Sequence, residues 1–488
     1  MLLKSHLIMS NKKIIDIVEC IFKYIFFAYI VLGFCNLTYG HTIISYFMYV
    51  SFICGGVLIL IRCIHWKYYV GMPMILFPVL FLISYLVSVL FNISFFSKKT
   101  VIYLILFSIY FFLLYTQPNY RSRSDLIKEL RWFCIVFLGL TLLLVIISFY
   151  MLMTGYWGVY RDPNNDNYEI AVGFFSGRLW GAFQDPIHGS LMCCASIAIA
   201  YYYYQKTHKF ITKFALICVI VLFTLYIALA DSRNGMLCLG IVSGLMFCFS
   251  WFSSSKTQKK KVLGLAISIM LVFISIFVPV GIQKIYNSVV IGMTEDTSND
   301  NPGQTAEDPS GTEENQKNYH VIARGYDVTE DLSAFGNRRF QIWGSAIDIF
   351  KKSPIVGVTF PGIVPFAKQY LPNTYIISQP DYWIINTMEN ELFNTLAGQG
   401  FIGVMLLIIW TIGSYYIIFK NLKSVDDRYN SEISLLVTIV TTFFVSAQFQ
   451  GLMFYQITPN TFLFWLAFGS LLSIVRANYL KSDADITK

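Results

Sequence analysis

The sequence predicts an all-α integral membrane protein of about twelve transmembrane helices, with one large outer loop that contains short helices. Of its 488 residues 56% are hydrophobic and only 13% charged, and the mean hydropathy of +0.59 is far from that of an average soluble domain. Apolar runs of about 20 residues, the length needed to cross ~30 Å of hydrocarbon, recur along the chain. Lys and Arg collect in every second connection between these runs, the signature of loops kept on the cytoplasmic side.

The twelve runs are residues 16–35, 42–61, 72–92, 100–116, 132–153, 187–204, 211–230, 234–252, 262–282, 399–419, 432–454 and 459–475. The first follows the basic tail MLLKSHLIMSNKK; it is too long for a signal-peptide core and no small-residue cleavage site follows, so it reads as a retained anchor. With the N-terminus cytoplasmic, the inner connections hold 22 of the 36 basic residues, and the short outer ones hold only Lys98, Lys99 and Arg233. Both termini are then cytoplasmic, and in a bacterium the outer side is the periplasm. Topology thus explains the formal charge of +8, which gives no support for nucleic-acid binding. All ten cysteines lie in or beside the apolar runs and none in the polar loops, which argues for small buried side chains over a disulfide framework.

Two outer loops break the rhythm, at 154–186 and 283–398. They divide the chain into a first membrane domain (1–282, nine spans), the large loop (283–398), and three last spans with a tail (399–488). A loop of over a hundred residues is too long for a connector and is expected to carry function. Its acidic, Gly/Pro/Ser-rich stretch 294–318 is expected to be poorly ordered. A helix is expected over 338–351, where Arg339, Trp343, Ala346 and Phe350 share one face and Lys351, Lys352 and Pro354 end it. PIVGVTFPGIVP, which follows, is punctuated by Gly and Pro as a turn region.

Four arginines stand on the outer side: Arg178 before the sixth span, Arg233 in the connection ALADSRNG, and Arg338 and Arg339 at the helix start in the large loop. Singly, each reads as a snorkelling anchor for a helix end. As a set they suit a diphosphate, because guanidinium forks bind phosphate oxygens in pairs and stay charged. Asp185 and Pro186 read as N-cap and first residue of a helix, with His188 in its first turn. Asn386 with Glu389 has the spacing of a capping arrangement; the other reading makes Glu389 a base at the membrane surface. Trp180 and the other outer-loop aromatics (Tyr156, Trp157, Tyr160, Tyr370, Tyr375, Tyr382, Trp383) suit either an interfacial belt or a glycan groove. The six histidines show no metal-ligand spacing, and neither metal nor cofactor is expected.

Four stretches together, Arg178 with GAFQDP, DSRNG, NRRFQIWGSAIDIFKKSPIVGV and MENELFNTLAGQGFIG, resemble the O-antigen polymerase and O-antigen ligase superfamily over roughly 175–405. Arg339, Trp343, Pro354 and Gly357 match that family's pattern in its large periplasmic loop. The resemblance implies a metal-independent membrane glycosyltransferase of the GT-C type in a bacterial inner membrane. Its expected substrate is an undecaprenyl-diphosphate-linked oligosaccharide, and a chain-length-regulating co-polymerase is its expected partner beside the bilayer. Arg178, Arg233 and Arg339 are expected to hold the diphosphate, and either Glu389 or another outer residue is the base. Arg338, Trp343, Asp185, His188, Asn390 and Trp180 are expected to contact substrate. Ligases of the family carry His-Asn where this chain has Glu389-Asn390, a departure that favours a polymerase over a ligase. A flippase is the reading from another class, but no duplication between halves is evident.

Overall fold

The computed structural model describes residues 2–162, 165–254, 257–299, 321–322, 338–378, 385–422 and 425–476. The fold is that of an all-α membrane protein with one small sheet. Among the described residues nine helices are long and apolar enough to cross a membrane. The other three expected spans are helical too, but shorter or more polar. Leu76–Phe91 and Pro459–Val475 have 16 and 17 residues. Pro186–Lys206 carries His188, two Ser and four Tyr, and most of its residues are buried within the fold. Of the stretch 294–318 expected to be poorly ordered, 294–299 end a helix and 300–318 lie outside the described residues. Tyr382 and Trp383 also lie outside them.

The chain forms two compact units: residues 1–34, 38–133 and 335–488, and residues 35–37 and 134–334. The first contains α1 (Leu2–Phe34), α2 (Thr42–Ile64), α3 (Leu76–Phe91), α4 (Lys98–Ile109) and the start of α5 (Arg123–Met153). It also contains α10 (Arg339–Lys352), α11 (Ile363–Tyr370), α12 (Tyr375–Ser378), α13 (Glu391–Leu422), α14 (Asn430–Ser446) and α15 (Pro459–Val475). Its core is aromatic: Trp410 stacks on Phe77 at 4.5 Å and on Trp465 at 5.5 Å, and every residue of α15 is buried.

Arg62 and Arg121, counted as inner-loop charge, are internal ties of this unit, as is Lys23 within the first run. Arg62, 5% exposed, makes a forked pair with Glu19 at 2.7 and 2.6 Å. It also donates to the carbonyls of Phe112 and Thr116, where a π-helical turn, Tyr110–Tyr115, ends α4. Lys23 and Arg121 share Glu129 at 2.6 and 2.5 Å. Charges buried in this way persist only when paired and hydrogen-bonded.

Two departures from regular helix shape one end of the unit. α13 breaks at Gly400 (φ 62°, ψ −156°), and Phe401 and Ile402 donate their N–H groups to the carbonyls of Pro354 and Ile355 at 2.8 and 3.3 Å. Val358 and Thr359 donate in turn to the carbonyls of Ala397 and Gly398 at 2.9 and 2.8 Å. The expected turn region is therefore a strap inserted into a broken helix. The second departure corrects the apolar run 432–454: the helix stops at Ser446, and 447–458 is irregular, mostly buried backbone. Such backbone survives in a membrane protein only with every polar group satisfied internally.

The second unit holds the rest of α5, strands β1 (Trp157–Asp162), β2 (Asn165–Phe175) and β3 (Arg178–Gly181), then α6 (Pro186–Lys206), α7 (Phe210–Leu229), α8 (Arg233–Ser254) and α9 (Gln258–Asn299). The loop 154–186, expected on the outer side, contains an antiparallel sheet in the order β1-β2-β3, which the apolar pattern did not signal. Ser176 and Gly177, at φ 50° and 67°, turn β2 into β3 and deliver Arg178 at the strand start.

Candidate functional site

Arg178 is partly buried in the second unit, and its Nε donates to the carbonyl of Ala230 at 2.9 Å. Its Nη2 is enclosed and has no hydrogen-bond partner among the described residues. Burial pushes its pKa down, Asp185 and Asp231 oppose this, and nearby Arg233 adds to the downward push. A guanidinium with one donor held by backbone and another unused is suited to an anionic oxygen. An anion would also relieve the repulsion between the two arginines.

The turn that presents Arg233 is built from strain and capping. Asp231 adopts a left-handed backbone (φ 45°), and Ser232, fully buried, accepts the N–H of Gly235 at 3.1 Å. Ser232 therefore caps α8, and Arg233 is that helix's first residue, not a residue of the connecting loop. Gly235 lies inside α8: a Cβ there would stand 2.6 Å from Ser190 Cβ of α6. Its smallness serves helix contact.

Around this pair, Asp185 caps α6, accepting from Ile187 N at 2.7 Å, with Pro186 at the first position. His188 is 2% exposed in the first turn. The carbonyl of Trp180 accepts from Tyr226 Oη at 3.2 Å, and its indole Nε1 is enclosed without a partner among the described residues. Tyr156 and Trp157, with Tyr150 and Met151, line an open cleft of about 690 Å³.

The first unit holds the other candidates. Arg338 is left-handed (φ 62°) and precedes α10, which Arg339 begins. The buried face of α10 is Ile342, Ser345, Ala346 and Ile349, shifted from the expected Arg339, Trp343, Ala346 and Phe350. Trp343, on the flank, donates Nε1 to the carbonyl of Met388 at 3.1 Å and stacks on Phe393 at 5.1 Å. Its indole thus ties α10 to the start of α13. Glu389 is partly buried and left-handed (φ 49°). Asn390 caps α13, accepting from Leu392 N and Phe393 N at 2.8 and 3.2 Å, and donates Nδ2 to the carbonyl of Gln448 at 2.7 Å. The expected Asn386–Glu389 cap is replaced by this one, which leaves Glu389 just before the helix. Among the described residues Asp231, Arg338 and Glu389 are three of six non-glycine residues with positive φ, and such strain collects at functional sites.

Sequence reasoning missed Glu391. It is 2% exposed, and its carboxylate accepts the N–H groups of Leu452, Met453 and Phe454 at 2.7, 3.0 and 2.9 Å. It holds the irregular segment beside Asn390. Glu391→Ala would strand three buried donors and is expected to cost about 3 kcal/mol or more. Glu391→Gln, which keeps one acceptor, should cost less. Thermal midpoints of the two detergent-purified variants check this, and equal midpoints would refute the role.

Among the described residues no group of three or more His, Cys, Asp or Glu is placed to hold a metal ion. Residues 216–408 match a family described as O-antigen ligase, a stretch that includes Arg233, α10 and the 386–403 motif but not Arg178. No curated protein matches the chain. The matched stretch, less than half of the chain, makes it similar to the O-antigen ligase family, and the similarity does not choose between polymerase and ligase.

Proposed function

We propose that the protein is a repeat-unit polysaccharide polymerase of the O-antigen kind, metal-independent and working at the periplasmic face of a bacterial inner membrane with both termini in the cytoplasm. The donor is a glycan on undecaprenyl diphosphate, and the acceptor is the terminal sugar of another lipid-linked repeat unit. The acceptor hydroxyl oxygen bonds to the donor's anomeric carbon while the bond from that carbon to the diphosphate oxygen breaks. The diphosphate leaves with the electron pair, and the hydroxyl proton passes to Glu389.

The observation that carries this reading is the Arg178–Arg233 pair, with an enclosed unused guanidinium donor, in a membrane chain with this family match. Fixed positive charge at a developing diphosphate is transition-state stabilisation. Arg339 is assigned to the same leaving group. Arg338, Trp343, Asp185, His188, Asn390 and Trp180 are assigned to substrate positioning, and a chain-length-regulating co-polymerase is the expected partner. Glu389-Asn390, in place of the ligases' His-Asn, favours polymerase over ligase. The family's description favours the ligase as second reading, in which the glycan passes to lipid A core. Nothing in the fold or the match supports a flippase.

The test is the lipopolysaccharide ladder of a deletion strain. Single repeat units left on the core indicate a polymerase; polymer left on the lipid carrier with a bare core indicates a ligase; loss of even the single unit indicates a flippase. In complementation, Arg233→Ala and Arg339→Ala are each expected to give no polymer at normal membrane levels. Normal ladders from both would sink the site assignment.

A further inference from the structure

α9 meets the arginine site through one side chain that no sequence pattern singles out. Gln283 Nε2 donates to the carbonyl of Ala228 at 2.8 Å and to Asp231 Oδ1 at 3.0 Å. The same turn also receives Arg178, through Nε to the carbonyl of Ala230. Residues 228–231 are therefore clamped by hydrogen bonds from both β3 and α9. The clamp spans a point of strain, since Asp231 sits at φ 45°, where a non-glycine residue needs support from its surroundings. Asp231 is also one of the two carboxylates whose field acts on Arg178.

One helical turn further, Asn287 shares the α9 face with Gln283. Its amide makes a reciprocal pair with the backbone of Ile322 in the large outer loop: Nδ2 donates to the Ile322 carbonyl, and Oδ1 accepts the Ile322 N–H, both at 2.8 Å. Ile322 is 8% exposed. Two residues of one helix, a turn apart, thus join two tasks: Asn287 docks a segment of the large loop, and Gln283 braces the turn that presents Arg233 and carries Asp231 to Arg178.

We propose that Gln283 is a positioning residue for the Arg178–Arg233 pair, acting through Asp231, and that the Asn287–Ile322 pair fixes the stretch of α9 from which it acts. This rests on the reading of the two arginines as counter-charge to the leaving diphosphate. A carboxylate held at a fixed place sets the direction of the guanidinium beside it. When Gln283 cannot donate, Asp231 relaxes, and Arg178 is no longer aimed where charge develops in the transition state.

The test uses full-length protein in detergent, with lipid-linked repeat units extracted from the deletion strain as the probe. Gln283→Met keeps the side-chain length and removes the donor; it is expected to lower kcat about tenfold with KM changed less than about twofold. Gln283→Glu sets a carboxylate against Asp231 and should be worse. Gln283→Met added to Asp231→Asn should cost little beyond Asp231→Asn alone, because both act through one contact. Asn287→Ala should give a smaller loss of the same kind. A purely structural role would lower the thermal midpoint and leave kcat per folded molecule unchanged. An active wild type with Gln283→Met at the wild-type kcat, or with fully additive losses in the double variant, overturns the proposal. An inactive wild type on these units instead overturns the proposed function.

Discussion

Arg178→Ala is expected to abolish polymer, with turnover reduced by about 10²–10³ and protein still inserted in the membrane. Arg178 combines three properties in one side chain. Its Nε is committed to the Ala230 carbonyl, which fixes the plane of the guanidinium. Its Nη2 is enclosed and unused within the described residues. Asp185 and Asp231 hold the cation against burial and against Arg233. Arg178→Lys should rescue little, since an ammonium cannot hold the carbonyl and present a second donor in the same plane. The ladder and the in vitro conversion of lipid-linked units, both normalised to protein in the membrane, are the measurements. Turnover of Arg178→Lys near the wild-type level would show that the fork geometry is irrelevant.

Gly400→Ala is expected to prevent accumulation of folded protein, through a different cause. At φ 62° and ψ −156° the backbone lies in a region open essentially to glycine alone. A Cβ there would stand 2.6 Å from the carbonyl carbon and oxygen of Ile355, which are backbone atoms of the strap. Strain and overlap together should cost about 4 kcal/mol or more. Gly357→Ala, with its Cβ 2.5 Å from Gln399 N and φ at 66°, should behave alike. Gly344→Ala is the control, with open space around it. Folded yield by size-exclusion in detergent reads the outcome, and wild-type yield of Gly400→Ala would refute the strap.

Much of the framework was legible because it depends on local sums. Each of the twelve apolar runs contains a helix, since hydropathy and length alone force the backbone to satisfy itself. Asp185 with Pro186 was legible as a helix start because capping involves a few consecutive residues. Choices between equivalent local solutions were not legible. Asn386 and Asn390 both have cap chemistry, and Asn390 caps α13 while its amide also holds the Gln448 carbonyl. α10 has two partly apolar stripes, and the neighbours packed on it decide which is buried. The run 432–454 is as apolar as a span, yet its last part is irregular, because Glu391 supplies the acceptors that a helix would have supplied. β2 was hidden for the opposite reason: its first half is polar and its second half apolar, with no alternation to see.

The sequence by itself determined that the chain is a membrane protein, where its helices lie, and which residue types stand ready for an anionic substrate. These follow from composition, run length and charge placement, all additive along the chain. Tertiary structure alone decided which guanidinium keeps an unused donor, which turn is strained, and what holds that turn. Arg178 reaches Ala230 across 52 positions, Gln283 reaches Asp231 across 52, and Glu391 reaches Leu452 across 61. Hydrogen bonds between such distant groups depend on how helices and strands pack, and no local pattern of residues encodes their direction.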